Sequence, residues 1–261
     1  MLQKCEGIVI RTTNYGESNK IVVVYSRELG KVAFMARGAK KPNSRFSGVS
    51  QAFTYAYFVF QKGKGLGTLQ QGDIITSFKG IKEDLFKTAY VTYISDLLDK
   101  GTEELKPNPF LFELYQTILS YIEEGYDADI LTNIFELKML PVFGLQPGLN
   151  ECAVCGQTEG DFSFSFRENG VVCHRCREND RSAAPMSRNT FRLLRVLYYY
   201  DLNRLGTISV KKETKDELTA IIRQYYDENS GLYLKSRRFL DQIQSMESLL
   251  KPDSHSENEN H

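Results

Sequence analysis

Ile21-Val22-Val23-Val24-Tyr25-Ser26-Arg27-Glu28-Leu29-Gly30-Lys31-Val32-Ala33-Phe34-Met35 holds two apolar, β-branched runs separated by the turn Arg27-Glu28-Leu29-Gly30. Branched side chains pack well on a pleated backbone, and the glycine between the runs permits the reversal. Working outward, Gly7-Ile8-Val9-Ile10-Arg11 supplies a strand before the pair. After a polar, basic loop, Phe53-Thr54-Tyr55-Ala56-Tyr57-Phe58-Val59-Phe60 supplies another. Its aromatics alternate and then change phase at Tyr57-Phe58, which predicts a β-bulge or a strand buried on both faces. Gly63-Lys64-Gly65-Leu66-Gly67 turns the chain into a last strand, Thr68 to Ser77. It lacks the spacing and the ending of a phosphate-binding loop and reads as a hairpin link. Five short strands with one long loop predict a small closed barrel of the OB type.

From Ile81 the period becomes helical. Leu85, Ala89, Tyr93 and Leu97 recur every four residues, and Phe110 to Ile122 and Ile130 to Phe143 read as two further helices. Four of the five cysteines then fall into two Cys-x2-Cys knuckles, Cys152/Cys155 and Cys173/Cys176, with seventeen residues between them. That spacing reads as one closed, structural zinc site of four thiolates, with no open position for water or substrate. Between the knuckles Phe162, Phe164 and Phe166 alternate with serines, and Asn169-Gly170 supplies a two-residue hairpin turn. Helical patterns resume at Asn189 to Tyr200, Lys215 to Tyr226 and Leu234 to Leu250. The fold class is α+β, in five parts: 1–80 an OB-fold nucleic-acid-binding domain, 81–150 the first part of a helical domain, 151–182 the zinc module, 183–250 the second helical part, and 251–261 a disordered tail.

The net charge of zero conceals a polarity. Residues 1–80 carry twelve Lys and Arg against four Asp and Glu, whereas 81–150 carry five against twelve. A local +8 suits phosphate backbones, because each neutralised phosphate releases condensed counterions. Its centre is Arg37-Gly38-Ala39-Lys40-Lys41-Pro42-Asn43-Ser44-Arg45, and the sequence holds no acid between Lys31 and Asp73. Arg37, Lys40, Lys41 and Arg45 are the first nucleic-acid candidates, with Arg11, Lys20, Lys62 and Lys64 extending the path around the barrel. Tyr15, Phe46, Tyr55 and Tyr57 stack bases if they face outward and pack a core if they do not.

Neither a secretory leader nor an apolar run of membrane-spanning length is visible, so a soluble, cytoplasmic protein is expected. The histidines are His174, His255 and His261, which rules out a histidine triad in the body of the chain. No enzyme is expected. Cys5, in an apolar strand, reads as a core residue. Arg167, Arg175, Arg177 and Arg181 would let the zinc module touch nucleic acid directly; otherwise the metal is a staple for a hairpin too small to fold alone.

Ala36-Arg37-Gly38-Ala39-Lys40-Lys41 followed by Ser44-Arg45-Phe46 is the first of three motifs that stand out together. The second runs from Phe135-Glu136-Leu137-Lys138-Met139-Leu140 through Phe143-Gly144-Leu145-Gln146-Pro147 to Cys152-Ala153-Val154-Cys155-Gly156, and the third is Leu234-Lys235-Ser236-Arg237. With them the chain resembles, over nearly its whole length, the RecO family of bacterial recombination mediators. The resemblance implies an OB barrel, a helical domain and a zinc-binding module. It also implies a non-catalytic DNA repair factor of the RecF pathway, acting at the nucleoid during repair. Such a factor binds single- and double-stranded DNA, anneals complementary strands, joins RecR, and helps load RecA by contacting the acidic C-terminal tail of single-stranded DNA-binding protein. Lys235, Arg237 and Arg238 are candidates for that tail by charge alone. The competing reading is an OB-plus-ribbon RNA-binding factor of translation or transcription; a carboxylate-dependent nuclease is a third.

Overall fold

The computed structural model describes residues 1–63, 65–199 and 210–250, with the side chains of 247–250 outside the description. Lys64, Tyr200 and the expected tail at 251–261 therefore lie outside the described residues. Two compact units divide the chain: Met1–Glu123 together with the chain from Leu234 onward, and Glu124–Tyr233.

In the first unit β1 (Leu2–Tyr15), β2 (Asn19–Ser26), β3 (Gly30–Ala36), β4 (Tyr55–Gln61) and β5 (Gly67–Thr76) close into a barrel in the order β1-β2-β3-β5-β4. Neighbours run antiparallel except β3 and β5, which meet in parallel at Phe34↔Gly67 and Met35↔Thr68. The long β1 pairs with β4 through its first half and with β2 through its second. A register shift between Val9 and Arg11 leaves Ile10 as an extra residue, and such a bulge bends a strand. The core is Cys5, Val9, Val22, Val24, Phe34, Phe58 and Phe60 with their neighbours. Phe46 and Val49 from the β3–β4 loop join it, so that loop plugs the barrel. Burial drives the Cys5 thiol up to about 12, and it stays protonated in the core.

The phase change expected at Tyr57-Phe58 does not occur. β4 alternates regularly, with Ala56, Phe58 and Phe60 inward and Tyr57 exposed. Tyr55 donates its hydroxyl to Glu6, and Lys4 lies 5.3 Å over the Tyr57 ring. The irregularities fall instead on the β4–β5 pairing, at Tyr55/Ala56 and Val59/Phe60.

After β5 come α1 (Lys79–Glu83), α2 (Leu85–Gly101) and α3 (Pro109–Glu124). Asp84 caps α2 by accepting from the Phe86 and Lys87 amides, and Asn108 accepts from the Leu111 amide at the start of α3. α8 (Lys235–Leu250) returns to pack on α2, where Ser236 donates to Asp96 at 2.6 Å.

The second unit holds α4 (Ala128–Met139), a hairpin of β6 (Phe162–Ser165) and β7 (Gly170–Cys173), the short α5 (His174–Arg177), a two-residue strand β8 (Ala184–Pro185), α6 (Arg188–Tyr199) and α7 (Lys212–Asn229). Ser165 pairs with Gly170, so the hairpin loop is the four residues Phe166 to Asn169 and not the expected two-residue turn. Asn169 carries the positive φ of 51° that reverses the chain. Phe162 packs on Phe191 of α6 at 4.9 Å and Phe164 edge-on to Tyr225 of α7 at 5.2 Å, both buried.

Candidate metal centre and nucleic-acid interface

The knuckle sulfurs of Cys152, Cys155, Cys173 and Cys176 all lie within 4.8 Å of one another. A tetrahedron of thiolates about 2.3 Å from a zinc ion has edges of about 3.8 Å; the Cys155 and Cys173 sulfurs are 3.7 Å apart. The four residues therefore fit a metal of that kind. The hairpin explains why they meet. Phe162 pairs with Cys173 at the open end, while Gly148 pairs with Gly170 at the closed end. Ala153 donates its amide to Val171 at 2.8 Å, laying the first knuckle along β7.

Burial acts to raise the Cys152 thiol, but hydrogen bonds from the backbone amides of Cys173, Cys155 and Val154 and from the Cys155 side chain outweigh it and bring it down to about 6. The Cys173 N–H reaches the Cys152 sulfur at 3.3 Å. Such amides stabilise a thiolate, the form that binds metal. His174 lies outside the four-sulfur cluster, in a groove of about 630 Å³ that Arg177, Arg181, Asp161 and Glu178 also line. Cations and acids mix there, and Arg167 is taken up by Glu168 at 2.9 Å. Phe162, Phe164 and Phe166 are buried and offer no face to a base.

The strand register gathers the cations of the first unit. Lys40 donates its amide to Ser18 at 2.9 Å, and Gly38 donates to the Asn19 side chain at 2.9 Å, so the basic loop is stitched onto the tip of the β1–β2 hairpin. The β4–β5 link carrying Lys62 lies at the other end: Gln61 pairs with Leu2 and the Lys62 amide donates to the Met1 carbonyl at 2.9 Å, at the start of β1 and not at its tip. Arg37, Lys40, Lys41, Arg45 and Lys62 are exposed and Lys20 is half-buried. Arg45 stacks on its neighbour Phe46 at 4.7 Å. Lys20 pairs with Ala36, one position away from the row that continues to Arg37, so the two cations share an end of the barrel but point to opposite faces. Arg11 is elsewhere: its guanidinium pairs with Asp99 of α2 at 2.9 Å, a partner that sequence proximity gave no means of finding. On α8, Lys235 and Arg238 are exposed and Arg237 is half-buried, with the ring of Phe239 38% exposed beside them. Leu234, just before them, is buried.

None of the helices among the described residues is long and apolar enough to cross a membrane. A five-stranded OB-type barrel joined to helices and a four-cysteine, zinc-compatible cluster defines an α+β protein of the OB-barrel class. Within that class the comparisons are specific. Residues 1–78 match the family model for the recombination protein O N terminal region and residues 82–238 that for its C terminal region. The chain is 58% identical over 250 residues to the DNA repair protein RecO of Bacillus subtilis, covering 96% of this chain and 98% of the relative. It is 56% identical over 253 residues to that of Listeria welshimeri, covering 97% and 99%. The chain belongs to the RecO family, which ties it to DNA repair and recombination.

Proposed function

We propose that this chain is a recombination mediator without a reaction centre of its own. The reading rests on family membership and on one observation above all, the clustering of Arg37, Lys40, Lys41 and Arg45 in one loop bonded to the β1–β2 tip at one end of the barrel, with Lys62 at the other end. Charge of this kind binds phosphate backbones without regard to sequence and screens two strands as they pair. Single- and double-stranded DNA are the ligands, and annealing of complementary strands is the activity. Zinc, one ion per chain, holds the knuckles and contributes to folding. RecR and the acidic tail of single-stranded DNA-binding protein are the protein partners, the latter met by Lys235, Arg237 and Arg238, and loading of RecA follows from displacing that protein. The division of labour follows the five segments bounded at 80, 150, 182 and 250, and the setting is the bacterial cytoplasm and nucleoid.

The test is annealing of two complementary oligonucleotides precoated with single-stranded DNA-binding protein, with and without its acidic tail. Tail-dependent acceleration is the expected result. No acceleration by well-folded, metal-loaded protein, together with tighter binding to a structured RNA than to DNA of equal length, would overturn the reading in favour of an RNA-binding factor.

A further inference from the structure

We infer that Tyr15 and Arg37 form a stacking site for one unpaired base of single-stranded DNA, so that the barrel distinguishes single strands from duplex. This inference rests on the nucleic-acid reading above and assigns it a specificity residue. In the β1–β2 ladder Tyr15 pairs with Asn19, and Thr13 pairs with Ile21. In the β2–β3 ladder Ile21 pairs with Met35 and Lys20 with Ala36, and one further step of that register sets Asn19 opposite Arg37. The Gly38 amide bonded to the Asn19 side chain at 2.9 Å keeps the three strands together at that step.

Paired residues project to the same face of a sheet, so two rows lie side by side on the outer face: Thr13, Ile21 and Met35, then Tyr15, Asn19 and Arg37. Farther down the same face the strands are covered. Val23 and Tyr25 are buried, and Arg11 and Lys31 are held by Asp99 of α2. The upper two rows stay open. Ile21 and Met35 are half-buried, Arg37 is exposed, and the Tyr15 ring is 52% exposed and makes no ring, hydrogen-bond or ionic contact among the described residues.

An exposed, uncommitted aromatic beside a half-buried apolar row is poor surface for water and good surface for a base. The charge around it is complementary to DNA: Arg37, Lys40, Lys41 and Arg45 against Glu17 alone on the hairpin tip and basic loop, Lys20 standing on the other face. Arg37 stands two strands from Tyr15, about 10 Å at ordinary strand spacing. A nucleotide whose base rests on Tyr15 therefore carries an adjoining phosphate towards the guanidinium. Only an unpaired base can present its face in this way, since duplex bases are already stacked. The duplex would still meet Lys40 and Lys41 through its phosphates.

The experiment measures the affinity of the full chain, and of its Tyr15→Ala and Tyr15→Phe variants, for an oligothymidylate carrying 2-aminopurine and for a duplex of equal length. Fluorescence of the aminopurine reports stacking. The expected result is about a tenfold loss of single-strand affinity in Tyr15→Ala, duplex affinity within about twofold, and recovery by Tyr15→Phe. Quenching of the aminopurine should accompany binding by the parent and by Tyr15→Phe, and should be absent with Tyr15→Ala. Undiminished single-strand affinity in Tyr15→Ala, or equal loss on both ligands, would overturn the stacking site while leaving the nucleic-acid reading in place. Failure of the unaltered chain to bind either ligand would remove both.

Discussion

Arg11 Nε lies 2.9 Å from Asp99 Oδ2, a contact between β1 and α2 across 88 residues of sequence. The same carboxylate takes Lys31 at 3.0 Å. Two of the cations that make residues 1–80 so basic therefore share one carboxylate, which cancels one of their two charges, and the densest group of cations left for phosphates is the basic loop beside the β1–β2 tip. Arg11→Ala should leave DNA affinity within about twofold. Its side chain is more than half exposed, and screening limits the stability lost to less than about 1 kcal/mol. Asp99→Ala should cost more, about 1–3 kcal/mol, because the largely buried Lys31 ammonium loses its partner. Denaturant midpoints of the two variants, beside their DNA titrations, decide the matter; a severalfold drop in affinity for Arg11→Ala would show the pair opening to bind DNA.

The basic loop should behave in the opposite way. Lys40, Lys41 and Arg45 are exposed, so changing all three to Glu should leave the melting temperature nearly unchanged while weakening every DNA sequence to a similar degree. If about five phosphates of a single strand are engaged, the log–log salt slope is about −3.5, and loss of three contacts brings it to about −1.4. An unchanged slope would remove the loop as a main contact.

How much of this was legible beforehand depended on whether the signal was local. The β-branched runs at Ile8 to Ile10 and Ile21 to Tyr25 reported strands because branching itself favours the pleat, and the knuckles reported a metal centre because ligand spacing is a local constraint. Tyr57 misled for a physical reason. An aromatic with a polar handle can face outward, while the small Ala56 fills the inward place, so counting tyrosine as apolar shifted the apparent phase. The plugging of the barrel by Phe46 and Val49 and the pairing of Arg11 with Asp99 depend on where distant segments return, which no local pattern records.

Removal of the first knuckle tests the metal centre. Cys152→Ser with Cys155→Ser should reduce bound zinc from one ion per chain to nearly none, measured by metal analysis of the purified protein. Protease sensitivity should then rise between Gly148 and Pro185, because the sulfur cluster holds the open end of the hairpin while Gly148 and Gly170 hold the other. Retention of a full equivalent of zinc would refute the four-cysteine assignment.

Gly170 permits the close approach at that other end. A Cβ built there would lie 2.5 Å from the Gly148 carbonyl oxygen and 3.0 Å from its amide nitrogen, both backbone atoms that cannot swing aside. Gly170→Ala should therefore push the Gly148 segment off β7 and break the Val171 amide bond to the Gly148 carbonyl, now 2.9 Å. The expected cost is roughly 1–3 kcal/mol by denaturant unfolding, with zinc still bound. Unaltered stability would mean that the segment lies on the hairpin more loosely than these distances imply.

Asp180 links that hairpin to pH. Its carboxylate is buried, accepts hydrogen bonds from the hydroxyl of Ser165 on β6 and from the Ser182 amide and hydroxyl, and titrates below the ordinary aspartate range, with the Ser165 bond the largest cause. A group whose folded pKa is depressed stabilises the fold at every pH above its unfolded value, about 3.9, and that contribution drains away as pH falls towards the folded value. Asp180→Asn keeps the carbonyl acceptor and discards the charge. The unaltered protein should therefore lose more stability between pH 6 and about pH 3 than the variant does, as read from urea midpoints at each pH. Because other carboxylates titrate in both proteins alike, the difference between the two curves isolates Asp180. Parallel curves would mean that the serine hydroxyls hold its protonated and ionised forms equally well.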